Sequence, residues 1–259
     1  MIVGVPSRTI PIKENLKILK EIGYDGFQFD LSSCGIDTLK KDFLLNKEDD
    51  RCVQEIKTLS HNLDFPVLAL HTFYPIHSDE AVTIQTFEKY LEYLRILNCK
   101  YLILHISGYS NDKKRFNQAI SCLKKSKDIY KKKNCEILLE NDHEPSLFIT
   151  IEDIKSTTSK IDLNLCFDVT HAMQSDVNID NFYSKFKQRI RAVHLSDYKK
   201  GRAHKEIGTG ILKQFDCYRE IINSNKLLIL EVGKDVKRAK SRKEAIKVYK
   251  NSFLEVNNK

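Results

Sequence analysis

Six consecutive apolar runs of this chain, the third to the eighth, end in, or just before, an imidazole or a carboxylate. His71 and His105 close two of them and Glu140 a third; Asp168 closes a fourth and is followed three positions on by His171. His194 closes a fifth, with Asp197 three positions later, and Glu231 a sixth. One such residue is an ordinary cap or loop contact. Six in sequence point to something else, because carboxylates gathered in one buried place need a cation to offset their charge. Neutral imidazole with carboxylate is the usual donor set for a divalent transition metal. His204 opens the stretch His204-Lys-Glu-Ile-Gly-Thr-Gly210, where two glycines allow a tight turn and close approach to a ligand. His61 reads as a surface residue at a helix end, and His77 and His143 as solvent-exposed loop residues.

The elements that must carry these groups follow from periodicity. Short apolar or β-branched runs occupy 2–6, 26–30, 66–71, 101–106, 136–140, 164–169, 190–195 and 227–232. Continuous runs such as Tyr101-Leu-Ile-Leu104 read as strands buried on both faces, as in a parallel sheet. Between them lie amphipathic patterns at 14–22, 86–97 and 116–130, and Ser241-Arg-Lys-Glu244 is a capping-box opening for a last helix. Eight βα units without a linker predict an α/β fold, a single (β/α)8 barrel domain spanning 1–259. In that fold the strand ends named above line the catalytic mouth. The alternative is an open doubly wound sheet, but Val5-Pro-Ser-Arg8 after the first run is not its Gly-rich phosphate loop.

Composition sets the outer bounds. At 41% hydrophobic and 30% charged residues over 259 positions, the chain is globular rather than disordered. Lys and Arg (43) exceed Asp and Glu (35), for a net charge of +8, which favours anionic partners or marks lysine-rich solvated helix faces. No apolar run is long enough to cross a membrane, and no secretory signal opens the chain. Seven widely spaced cysteines without a C-x-x-C fit a reducing cytoplasm and inert core thiols rather than a disulfide framework.

Four motifs, Leu138-Leu-Glu-Asn141, Phe167-Asp-Val-Thr-His-Ala172, Val193-His-Leu-Ser-Asp197 and Leu230-Glu-Val232, together resemble the xylose-isomerase-like TIM barrels. That superfamily holds sugar isomerases and epimerases, related dehydratases and endonuclease IV. In the isomerase and epimerase branch, the resemblance implies one divalent metal (Mn, Mg, Co or Zn) on Glu140, Asp168, His194 and Glu231. Glu140 and Glu231 would also be the catalytic proton-transfer pair, and His71, His105, His171, Arg202 and His204 would bind substrate.

The endonuclease IV branch implies three zinc ions on His71, His105, Glu140, Asp168, His171, His194, His204, Glu231 and one more acid. That acid lies two residues before the counterpart of His204, where this chain has Arg202. A guanidinium cannot ligate a cation and would instead suit a substrate phosphate or carboxylate. Tyr74 matches a residue of that branch that enters DNA. The expectation is therefore a sugar or sugar-phosphate isomerase or epimerase, with an abasic-DNA phosphodiesterase as the second choice and no membrane partner.

Overall fold

The computed structural model describes residues 1–6, 9–31, 47–73, 80–106, 113–143 and 145–258. His77, Tyr74 and Cys34 lie outside these residues. All eight apolar runs are strands: β1 (Ile2–Gly4), β2 (Gly26–Asp30), β3 (Val67–Phe73), β4 (Tyr101–His105), β5 (Glu136–Glu140), β6 (Asn164–Asp168), β7 (Ile190–Leu195) and, after a hairpin of β8 (Asp197–Lys199) and β9 (Arg202–Lys205), β10 (Leu227–Leu230). They close into a barrel in the order β1-β10-β7-β6-β5-β4-β3-β2, while β8 and β9 pair separately. This is the (β/α)8 barrel, and it excludes the open sheet.

The helices are α1 (Ile12–Ile22), α2 (Lys47–Asn62), α3 (Glu80–Ile96), α4 (Lys113–Lys132), α5 (Ile151–Ile161), α6 (Val169–Gln174), α7 (Ile179–Phe186), α8 (Cys217–Ile222), α9 (Gly233–Arg238) and α10 (Arg242–Asn257). Among the described residues no helix is long and apolar enough to cross a membrane.

The chain falls into two compact units, residues 1–28 with 166–259 and residues 29–165. In the 29–165 unit, β3, β4 and β5 run in register, with Phe73 opposite His105 and His105 opposite Glu140. Leu70, Leu102, Ile103, Leu138 and Leu139 are fully buried, each such side chain contributing about 1.5–3 kcal/mol relative to exposure. The Tyr130 hydroxyl donates to the Phe87 carbonyl and ties α4 to α3. Thr150 and Asp153 form a reciprocal capping box at the start of α5.

In the other unit, β10 lies between β1 and β7. α10 is bound to the start of the chain by two phenols: Tyr24 donates to the Tyr249 carbonyl at 3.0 Å and Tyr249 to the Val5 carbonyl at 3.1 Å. The rings of Phe167 and Phe182 stack at 4.4 Å. Ser241 caps α10 by accepting from the Glu244 amide, whereas the Glu244 carboxylate turns to the Lys240 amide rather than closing the box on Ser241.

Three expected strand ends move, the first being β7, which runs one residue past His194 to Leu195. His71 is not the last residue of its strand, because Thr72 and Phe73 extend the ladder against Leu104 and His105. Glu231 lies one residue past β10, although its amide still donates to the Leu195 carbonyl. Cys99, Cys122, Cys135, Cys166 and Cys217 are buried free thiols, and burial pushes Cys99 up to about 12. Cys52 departs from the reduced pattern and is disulfide-bonded. An odd cysteine count leaves room for one pair, and wide sequence spacing does not bar two cysteines from meeting.

Candidate metal centre

In the 29–165 unit, β3, β4 and β5 deliver His71, His105 and Glu140, all buried. Both imidazoles turn Nε2 to one carboxylate oxygen: Glu140 Oε2 is 3.2 Å from His71 and 3.4 Å from His105. The rings meet edge to face at 5.3 Å. Behind each ring stands another carboxylate, with Asp30 Oδ2 3.8 Å from His71 Nδ1 and Asp142 Oδ2 3.4 Å from His105 Nδ1. A carboxylate behind a ligating histidine orients the ring and raises its basicity. Burial lowers the His71 pKa, but Asp30 and Glu140 outweigh it and hold it well above the ordinary imidazole value. His143, read as solvent-exposed, is only part-exposed and rests against Asp142, whose Oδ1 accepts from its amide at 3.0 Å.

The second donor group belongs to the unit of residues 1–28 and 166–259. Asp168 ends β6 and caps α6 at once. Its Oδ1 accepts from the Thr170 amide at 2.7 Å, the Thr170 hydroxyl at 2.9 Å and the His171 amide at 2.8 Å. That leaves Oδ2 turned to His171 Nδ1 at 3.6 Å and His194 Nδ1 at 3.9 Å. Glu231 Oε2 lies 3.5 Å from both His194 Nδ1 and His204 Nδ1. Its side chain is 25% exposed, so it is reachable from solvent while His194 is fully enclosed. His204 sits in β9 at a positive φ of 55°. Burial lowers its pKa, and Lys234 and His171 push the same way against Glu231 and Asp168, so the ring stays neutral and able to donate a lone pair.

These separations test whether a cation fits. Two donors each about 2.1 Å from one tetrahedral ion stand about 3.4 Å apart. The contacts at Glu231 Oε2, both 3.5 Å, are close to that span, and those at Asp168 Oδ2, 3.6 and 3.9 Å, are somewhat longer. His204 Nδ1 is buried with no hydrogen-bond partner. Ligand atoms of Asp168, His171 and His204 lie within 4.8 Å of one another, as do those of His71, His105 and Glu140. The donor chemistry fits a divalent cation in both groups.

Arg202, expected at the substrate, is exposed at the start of β9 and joins neither group. The glycines after His204 do approach something closely, but it is Asp197 rather than a ligand. Asp197 Oδ2 accepts from the Gly208 and Gly210 amides, both at 2.9 Å, and Oδ1 from the Tyr198 and Leu212 amides at 2.9 and 3.0 Å. A Cβ on Gly210 would stand 2.2 Å from the Tyr198 carbonyl oxygen and 2.3 Å from Asp197 Oδ1, so only glycine fits there. Asp197 thus secures the loop that carries His204.

Three residues around the donors escaped sequence reasoning: Asp30, Asp142 and Gln28, whose Oε1 lies 2.9 Å from His194 Nε2. Two signals were available: Gln28, a polar side chain between two phenylalanines, and Asp30, the carboxylate that closes the run 26–30.

A search of curated proteins finds no match. Among solved structures, the E. coli 3-keto-D-glucoside 4-epimerase YcjR is similar, with a TM-score of 0.74 and 15% identity over 100% of this chain and 99% of that one. The IOLI protein with a bound zinc atom gives a TM-score of 0.73 and 18% identity over 98% and 97%. An AP endonuclease, family 2, from Brucella melitensis gives a TM-score of 0.71 and 12% identity over 94% and 95%. At such identities these likenesses speak for the fold. The profile for the xylose isomerase-like TIM barrel matches residues 16–252, and the chain belongs to that family.

Proposed function

We propose that the protein is a divalent-metal-dependent isomerase or epimerase acting on a sugar, sugar phosphate or related polyol. The observation that carries this reading is the convergence of Glu231 Oε2, at 3.5 Å, and Asp168 Oδ2, at 3.9 Å, on His194 Nδ1 in a buried place. Asp168, His194 and Glu231 would hold the cation, with Glu140 as the fourth ligand by its motif and its place at the end of β5. When bound, the cation polarises the substrate carbonyl as a Lewis acid.

The chain's own part is proton transfer. Either Glu231 or Glu140 takes the proton from the carbon beside the carbonyl, and the other returns one. Their strands are three apart around the barrel, which suits attack on opposite faces of a substrate and inversion of a stereocentre. His71, His105, His171 and His204 would hydrogen-bond substrate hydroxyls. Arg202, exposed beside His204 on β9, would meet a substrate phosphate from the rim.

The test is turnover in deuterated water of a panel of ketopentoses, ketohexoses and their phosphates, with manganese. Solvent deuterium should appear on the carbon next to the carbonyl, and Glu231→Gln should lose about 10²–10⁴-fold in rate as a general base is removed. Turnover without deuterium, or incorporation at the wild-type rate in Glu231→Gln, would remove Glu231 from that role.

A second reading, a zinc phosphodiesterase acting on abasic DNA, is favoured by one observation. The His71–His105–Glu140 and Asp168–His171–His204 groups offer more donors than one ion needs. Rapid 5′ incision of a duplex carrying a tetrahydrofuran site by zinc-loaded protein, with three zinc ions per chain, would reverse the order of the two readings.

A further inference from the structure

We propose that Gln28 is a positioning residue for His194, holding its ring through Nε2 so that Nδ1 points at the acids of the candidate metal centre. The inference rests on the reading of His194 as a ligand. Gln28 lies in β2 between the buried rings of Phe27 and Phe29 and is itself 1% exposed. Its Oε1 stands 2.9 Å from His194 Nε2.

A carbonyl oxygen can only accept, so Nε2 carries the proton and Nδ1 keeps its lone pair. That lone pair faces Glu231 Oε2 at 3.5 Å and Asp168 Oδ2 at 3.9 Å. With Gln28 Oε1 as the amide atom nearest Nε2, this is the tautomer that makes the hydrogen bond. Three lone pairs converging in a buried place repel one another unless a cation stands among them. The Gln28 amide nitrogen is buried with no hydrogen-bond partner. An apolar residue of like size would avoid that cost, so the feature that accounts for glutamine here is the acceptor it gives to His194.

The contrast with the other unit gives the amide its meaning. His71 and His105 are backed by the carboxylates of Asp30 and Asp142. A carboxylate draws the ring proton toward itself and makes the far nitrogen a stronger donor, whereas an amide does so weakly. A cation on an amide-backed histidine keeps more of its positive charge for the substrate oxygen.

The experiment uses the full chain with ¹⁵N-labelled histidine, as wild type, Gln28→Leu and Gln28→Glu. The first readout is the tautomer of His194 in metal-free protein, from long-range ¹H–¹⁵N spectra at mildly alkaline pH. The second is zinc affinity, from competition with a chromophoric chelator. Wild type should show His194 protonated at Nε2. Gln28→Leu should show a mixture of tautomers and bind zinc about 10–100-fold more weakly. Gln28→Glu should keep the Nε2–H form and bind zinc at least as tightly as wild type.

Wild-type tautomer and wild-type zinc affinity in Gln28→Leu would overturn the proposal. So would weaker zinc binding in Gln28→Glu, a variant that remains informative if the leucine variant fails to fold. Wild type that takes up no zinc, yet shows the Nε2–H tautomer lost in Gln28→Leu, would overturn the metal reading and leave Gln28 as the residue that orients His194.

Discussion

The donor groups of the two units differ in what stands behind them. In residues 29–165 the imidazoles of His71 and His105 share Glu140 Oε2 in front and have Asp30 and Asp142 behind. In residues 1–28 and 166–259 the carboxylates do the sharing: Asp168 Oδ2 faces His171 and His194, and Glu231 Oε2 faces His194 and His204. There the acceptor behind His194 is the oxygen of a neutral amide. The first group surrounds its histidines with negative charge, and Asp30 and Glu140 hold the His71 pKa well above the ordinary imidazole value against the pull of burial. The second keeps His204 neutral, with its lone pair ready. The same residue types, read only as strand-end acids and histidines, thus make one group that competes for protons and one suited to a cation without that competition.

The hardest test of this contrast removes the enclosed histidine. His194→Ala should lower bound metal at least tenfold by elemental analysis of purified protein, consistent with the cost of losing a ligand exceeding that of losing a residue behind one. The barrel should remain folded by circular dichroism. Metal content at the wild-type level would assign the ion to the His71–His105–Glu140 group instead.

A pair of substitutions at Asp168 separates its two oxygens. Asparagine is as good a helix cap as aspartate, so Asp168→Asn should keep α6 and the thermal midpoint while zinc affinity falls about 10–100-fold. Asp168→Ala should lose the metal and, in addition, about 1–2 kcal/mol of stability with the cap. Equal stability of the two variants in denaturant titration would show that the cap contributes nothing.

The smallest expected effect is in pH dependence. Metal binding requires neutral imidazole, so protons compete with it and affinity falls as pH falls. With the His71 pKa raised and the His204 pKa lowered, protons should displace metal from the His71 group at a higher pH than from the His204 group. If both groups hold metal, as the zinc-phosphodiesterase reading requires, zinc release followed by chelator absorbance during acid titration should show two steps; the single-metal epimerase should show one. His71→Ala should remove the step at higher pH; loss of the lower one instead would invert the assignment.

Much of this was legible in the sequence because barrel strands are contiguous and apolar. Each of the eight runs became a strand, and each strand-end acid or histidine named from the sequence lies within two residues of a strand end. The hairpin of β8 and β9 was not read, since Asp197–Lys199 and Arg202–Lys205 are polar and carry no alternation of their own. The backing residues were not legible either. Gln28 meets His194 across 166 positions, a contact that no local pattern encodes. The two glycines after His204 do permit close approach, but the sequence reading pointed it at a ligand, whereas both amides go to Asp197. The gathering of four amides by Asp197 depends on where the hairpin folds back. Arg202 shows what spacing leaves open: its type suits an anion, and its place on the exposed start of β9 sets it apart from both donor groups.

The division of labour within Asp168 has a consequence for the entropy of binding. A flexible aspartate must lose rotamer freedom when it captures an ion, and that loss weakens capture. Here three hydrogen bonds from Thr170 and His171 already fix the carboxylate through Oδ1. Its ordering is therefore charged to the formation of α6 during folding. An arriving cation meets an oxygen whose direction is set, and the helix start and the donor become ordered in a single event.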